Sequence, residues 1–122
     1  MKKSLVGQIK RPGQRAESVQ IFVDDFKRDY DSVTVSTTAY SVNDKTFVLA
    51  DDDTAGAAVT LTLPPVIDNT DKLVYVKKLG TTGNVVVDGN SSETIDGATT
   101  HTLTAQYESV TLFCSGSEWL LF

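Results

Sequence analysis

The sequence predicts an all-β protein: a small antiparallel sandwich or barrel-like body with an extended N-terminal arm. Three observations point there. The run Val59-Thr60-Leu61-Thr62-Leu63 alternates strictly between apolar and polar residues before Pro64-Pro65, which is the pattern of a half-buried strand stopped where proline can supply no ladder N–H. Short β-branched runs then recur about every ten residues, each closed by Gly, Asn or Asp, as in a sandwich or barrel. Finally, charge changes sign near residue 30. Residues 1–30 hold seven basic and four acidic residues, a net +3, and the remainder holds four basic and twelve acidic, a net −8, within an overall −5. Two segments of opposite sign are suited to different partners, so the chain divides into an arm over residues 1–30 and a β-rich body over residues 31–122.

Residues 1–16 contain Gly7, Pro12 and Gly13 among basic and polar residues, too few apolar groups to offset their own ordering entropy. Residues 17–30 admit two readings. Val19, Ile21 and Val23 alternate as in a strand, whereas Phe22, Phe26 and Tyr30 recur at i, i+4 and i+8 as on a helix face. Either way this stretch carries apolar side chains that need something to pack against.

From Ser32 the pattern is β. Residues 33–40 and 46–50 are rich in β-branched and aromatic residues, with Asn43-Asp44 as the turn between them. Asp51-Asp52-Asp53-Thr54-Ala55-Gly56 reads as an acidic, flexible connection into the alternating run at 59–63. The segment Leu73-Val74-Tyr75-Val76-Lys77-Lys78-Leu79 reads as a strand buried on both faces. Val85-Val86-Val87 ends in Asp88-Gly89-Asn90, and Glu93-Thr94-Ile95 ends in Asp96-Gly97, a strong turn signal. Thr100-His101-Thr102-Leu103-Thr104 alternates again. The chain finishes with residues 110–114 and 119–122 about Ser115-Gly116-Ser117, spaced for a hairpin whose apolar last strand is expected to be paired and docked in the core.

With 122 residues the chain can build one core, and an elongated shape would leave it short of buried area, which favours oligomerisation. The single cysteine, Cys114, excludes an intrachain disulfide and sits in an apolar run where a small buried thiol is expected. No apolar stretch follows Lys2-Lys3 as in a signal peptide, and none is long enough to span a bilayer as a helix. The expectation is a protein made and kept in soluble form, with no membrane insertion.

The chemistry-bearing residues form no catalytic constellation. Asp51-Asp52-Asp53 offers hard oxygen ligands but lacks the alternate spacing and closing Glu of a calcium loop, so it reads as a solvated loop. His101 is the only histidine and has no nucleophile motif beside it; no Gly-x-Ser-x-Gly elbow, phosphate loop or paired Cys/His spacing occurs. The expectation is no enzyme, no cofactor and no metal. Tyr40, Tyr75, Tyr107 and Trp119 could supply aromatic platforms, with Tyr40 and Tyr107 the surface-binding candidates, although all four lie in or beside strand-like runs where core packing is the ordinary role. The basic arm could neutralise phosphates, but it lacks interleaved aromatics and the body's −8 opposes close approach, so nucleic acid is not an expected partner.

The order of Thr60-Leu61-Thr62-Leu63-Pro64-Pro65, Val74-Tyr75-Val76-Lys77-Lys78-Leu79-Gly80, Gly83-Asn84-Val85-Val86-Val87-Asp88, Glu93-Thr94-Ile95-Asp96-Gly97, Tyr107-Glu108-Ser109-Val110-Thr111-Leu112 and Gly116-Ser117-Glu118-Trp119 resembles a β-module of bacteriophage structural proteins. Such modules occur in tail fibres and in head fibres or capsid decoration (cement) proteins, typically as trimers. The resemblance covers residues 46–122. It implies a virion protein at the capsid surface: a homotrimer whose arm, through Lys2, Lys3, Lys10, Arg11 and Arg15, anchors on the major capsid protein while the β-body projects outward. The other reading it allows is a tail-fibre or receptor-binding component that recognises a host-surface glycan. Size favours decoration, since 122 residues leave no room for a long shaft or separate receptor domain.

Overall fold

The computed structural model describes residues 31–122. The arm, its five basic anchoring candidates Lys2, Lys3, Lys10, Arg11 and Arg15, and the strand-or-helix alternative over residues 17–30 lie outside the described residues.

The body is β-rich, as the turn spacing predicts, but its strands are joined differently from an antiparallel sandwich or barrel. Nine strands, β1 (Ser32–Val35), β2 (Ala39–Ser41), β3 (Phe47–Ala50), β4 (Val59–Thr62), β5 (Leu73–Lys78), β6 (Val85–Asp88), β7 (Thr100–Leu103), β8 (Ser109–Cys114) and β9 (Trp119–Leu121), form two sheets. The first has the order β1-β3-β5-β8-β9 and the second β2-β4-β6-β7. Through β6 the chain crosses from one sheet to the other after every strand, so each strand returns parallel to the one two steps earlier: β1 with β3, β3 with β5, β2 with β4, and β4 with β6. Only the last third folds back, with antiparallel pairs β6–β7, β5–β8 and β8–β9. Both sheets are therefore mixed and neither closes into a barrel. Turn residues mark where a chain changes direction, but not whether the next strand pairs with the last or crosses to another sheet. At residues 33–40 the expected single strand breaks at Ser36-Thr37-Thr38 into β1 and β2 of different sheets.

One core lies between the inward faces. Val35, Val48, Val74, Val76, Leu112 and Trp119 from the first sheet join Val59, Leu61, Val85, Val87 and Leu103 from the second, all buried. The run at 59–63 behaves as its alternation demands, with Val59, Leu61 and Leu63 buried and Thr60 and Thr62 half-exposed. β5 does not: Val74, Val76 and Lys78 are buried while Leu73 and Lys77 are exposed, so it is covered on one face, not two. Lateral neighbours β3 and β8 pair its edges.

The turns follow their residue chemistry. Asp96 and Gly97, at φ of 49° and 84°, form the two-residue tip between Ile95 and Ala98, whose backbones exchange N–H···O bonds of 2.6 and 3.0 Å. Positive φ at both positions is what an Asp-Gly tip supplies. Here it closes an isolated bridge and not a longer strand. The hairpin β8–β9 forms as its spacing predicts, and Cys114 is the buried thiol expected, with Sγ 3.5 Å from the Val66 carbonyl. Trp119 docks in the core, but Phe122 beyond it is 80% exposed, so the C-terminus is paired without being fully buried.

Candidate functional site

The strongest polar constellation in the body is built from the acidic run that the sequence presents as a solvated loop. Asp51 instead caps a one-turn helix, α1 (Asp52–Ala55), by accepting from Thr54 N at 3.1 Å and Thr54 Oγ1 at 2.7 Å, and Gly56 ends it at φ 75°. This is the N-cap and left-handed C-cap arrangement that satisfies helix ends. α1 sets Asp52 beneath the turn at residues 80–83, which β5 delivers.

Asp52 is completely buried. Its Oδ1 accepts Gly80 N at 2.8 Å, and its Oδ2 accepts Thr82 N at 2.8 Å, Gly83 N at 3.0 Å and Lys78 Nζ at 3.0 Å. Lys78, also buried, donates in addition to the Gly80 carbonyl. Burial alone would raise the carboxyl's pKa; the N–H of Gly83, the Lys78 ammonium and the N–H of Gly80 outweigh it and lower the value to about 2. Asp53 continues the pattern at the surface, its Oδ1 accepting Thr82 Oγ1 at 2.6 Å and Thr81 N at 2.9 Å, which lower its pKa. The turn can come this close only with glycine. A Cβ on Gly80 would sit 2.7 Å from Asp52 Oδ1, and one on Gly83 would sit 2.5 Å from Ala58 N.

This arrangement organises the chain and leaves little free for a ligand. Asp52 accepts four hydrogen bonds, three at Oδ2 and one at Oδ1. Among the described residues no group of three or more His, Cys, Asp or Glu could hold a metal ion, and no helix is long and apolar enough to cross a membrane.

The same use of carboxylates recurs around the Pro64-Pro65 corner. Glu93 Oε1 accepts Val66 N at 3.1 Å; Glu118 Oε1 accepts Thr94 Oγ1 at 2.8 Å and Gly97 N at 3.0 Å; Asp96 Oδ1 accepts Leu121 N at 3.1 Å. Trp119 Nε1 points to the Pro64 carbonyl at 3.4 Å. Glu108 accepts Thr104 N at 2.8 Å and Ala105 N at 3.0 Å, and these two N–H groups, Ala105's first, lower its pKa. Stretches far apart in the ordered series, at 60–65, 93–97 and 116–119, thus meet at one corner.

The aromatic candidates separate. Trp119 is core, and Tyr75 stacks on Phe47 with ring centroids 4.9 Å apart. Tyr40 pairs opposite Leu61, so its ring lies on the inward side of the second sheet, half-buried against the core and not displayed. Tyr107 alone is open, 61% exposed at φ 67° before β8, with Lys77 Nζ 5.8 Å from its ring centroid. Tyr40 and Tyr107 belong to different sheets and do not form one platform. His101 lies opposite Val87, half-buried on the inward side.

What sequence reading did not foresee is a contrast between the two outer faces. On the second sheet the row Ser41, Thr62, Asp88, Thr100 is wholly polar. On the first sheet the rows Phe47–Tyr75–Thr111 and Leu73–Phe113–Leu120 are largely apolar, with a shallow groove lined by Leu73, Thr111, Phe113 and Phe122. The signal for it lay in the odd-numbered apolar residues of β3, β5 and β8, which alternation sets opposite the core positions. No protein-family model and no curated protein sequence matches this chain.

Proposed function

We propose that this chain is a bacteriophage virion structural protein, a capsid decoration or head-fibre protein. Its N-terminal arm attaches to the major capsid protein at the capsid surface and its β-body is displayed outward as part of a homotrimer, the protein being made in the host cytoplasm. The observation that supports this reading best is how the body uses its carboxylates. Asp52, Asp53, Glu93, Glu108 and Glu118 accept hydrogen bonds from the chain's own turns and loops, and Asp96 accepts one from Leu121 of β9. Polar chemistry spent on fixing loops suits a small rigid body whose task is to hold a shape on a larger assembly. The +3 arm on a −8 body adds an attachment end and a solvent-facing end of opposite sign. Three arms engaging one capsid site would gain avidity through effective concentration.

The test is deletion of residues 1–16 followed by particle binding. Lost capsid occupancy with an otherwise folded body supports arm-mediated attachment; unchanged occupancy removes it. One observation favours a second reading, a tail-fibre component that recognises a host-surface glycan: Tyr107, exposed with Lys77 beside it, offers an aromatic face for a sugar ring. Glycan-array binding by the full chain that Tyr107→Ala abolishes would favour that reading over decoration.

A further inference from the structure

Most carboxylates of the body hold its own turns, and one concavity departs from that rule. A cleft of about 550 Å³ opens between the turn joining β2 to β3, the Pro64-Pro65 corner and the loop leading into β5. Its lining is Asn43, Asp44, Pro64, Pro65, Asn69 and Lys72. Among the described residues the side chains of Asn43, Asp44 and Lys72 make no hydrogen bond or ion pair, whereas Asp52, Glu93, Glu108 and Glu118 each accept from backbone N–H groups. Asn69 Nδ2 donates to the Pro65 carbonyl at 2.6 Å, which orients its carboxamide.

The frame of the cleft is fixed by the fold and not by its polar lining. Val42 N donates to Thr62 O at 2.8 Å, tying the β2–β3 turn to the strand that leads into Pro64. Trp119 Nε1 points to the Pro64 carbonyl at 3.4 Å, and Glu93 Oε1 accepts Val66 N at 3.1 Å. In the loop before β5, Lys72 N donates to Asn69 O and Cys114 N to Lys72 O, both at 2.9 Å. The concavity is thus formed in advance, with a volume inside the roughly 300–1,000 Å³ of small-molecule sites.

We infer that this cleft is a saccharide site that takes a neutral hexopyranose unit of a glycan. The lining selects that class. Asp44 and the −8 body oppose an anion, and Lys72 opposes a cation. A zwitterion gains little, because ion pairs made in an open, solvated cleft contribute little. A neutral hydroxyl both donates and accepts, so one pyranose can meet the Asp44 carboxylate, the Lys72 ammonium and two carboxamides with the same kind of group. Hydrogen bonds to charged side chains are also the stronger kind. The C–H face of the sugar finds its match in the rings of Pro64 and Pro65, the apolar residues of the lining. The inference is independent of capsid attachment; it rests on the glycan-recognition reading and moves the sugar from Tyr107 to the cleft.

The experiment is an NMR titration of the isotope-labelled full chain with methyl glucoside, methyl galactoside, methyl mannoside and N-acetylglucosamine. Glucuronic acid and glycine serve as charged comparisons. It is repeated for Asn43→Ala, Asp44→Ala and Tyr107→Ala, all at exposed positions, with the dispersion of the core amides as the check on folding. The expected result is a saturable shift, with at least one neutral sugar, of amides at residues 43–44 and 69–72. Asn43→Ala and Asp44→Ala are each expected to weaken that binding about five- to tenfold, and Tyr107→Ala to leave it unchanged. No saturable shift with any neutral sugar up to its solubility overturns the inference, as do shifts produced by glucuronic acid or glycine alone. Sugar binding lost in Tyr107→Ala but kept in both cleft variants also overturns it, and leaves glycan recognition through Tyr107 standing.

Discussion

The Lys78 ammonium lies 3.0 Å from Asp52 Oδ2, and the two side chains are 1% and 0% exposed. Twenty-six residues apart in sequence, they tie the end of β5 to α1 and, through the Gly80, Thr82 and Gly83 N–H groups, fix the crossing from the first sheet to the second. A buried pair is no guarantee of net stability over an apolar substitute, but losing one partner leaves an uncompensated charge.

Asp52→Asn is therefore expected to cost about 3–5 kcal/mol, because it strands the Lys78 ammonium in the interior. Lys78→Met should cost less, since Asp52 keeps three backbone N–H donors and the apolar stem fills similar space. Urea unfolding of both variants and of the double variant measures the pair's coupling. Equal costs for the two single variants would show that the ammonium is not the group left stranded.

Acid should find the same site. The Asp52 carboxyl has a folded pKa of about 2 against 3.8 as an ordinary carboxyl. Its folded pKa is depressed, so its contribution is fully present above about pH 4 and is lost as pH falls toward 2. Asp53 and Glu108, also lowered, act in the same direction. Melting temperature measured from pH 6 to 2 should be flat with respect to these groups at the upper end and fall steeply below pH 4, with a shallower fall in Asp53→Asn.

Gly83→Ala places a methyl 2.5 Å from Ala58 N and 2.6 Å from Ala57 C. Both are backbone atoms, so the turn must move and release Asp52. A loss of about 1–3 kcal/mol is expected from overpacking, read by denaturant midpoint, with the low-pH sensitivity shifted as the Gly83 N–H bond lengthens.

Trp119 is the only tryptophan and is fully buried at the Pro64 corner. Its fluorescence should be blue-shifted in the native state and move red on unfolding. Trp119→Ala should cost about 3–5 kcal/mol through the cavity it leaves, with Glu118→Gln weakening the same corner less. An emission maximum already typical of water in the native protein would contradict this packing.

How far these features were legible depends on whether a local pattern encodes them. Alternation at 59–63 gives the buried set directly, because a strand's two faces are fixed by sequence parity. The Asp96-Gly97 tip is equally local, since its backbone needs positive φ at two adjacent positions. Parallel pairing is not local. Thr60 meets Thr38 and Asn84 lies by Val59 only because the chain crosses between sheets, and no turn residue specifies that choice. The buried ion pair left one trace: Val74, Val76 and Lys78 share a parity, so the core face of β5 ends in a lysine that needs an acidic partner. Reading β5 as buried on both faces hid that, and reading Asp51-Asp52-Asp53 as a solvated loop hid the partner. The anchoring candidates in the arm lie outside the described residues, so their role rests on charge and resemblance.

The measurement closest to the central claim is electron microscopy of assembled phage particles carrying this protein with a bound antibody label. Label distributed over the head surface, and lost when residues 1–16 are deleted, is the expected result. Label confined to the tail, or absent from purified particles, would contradict a capsid decoration role.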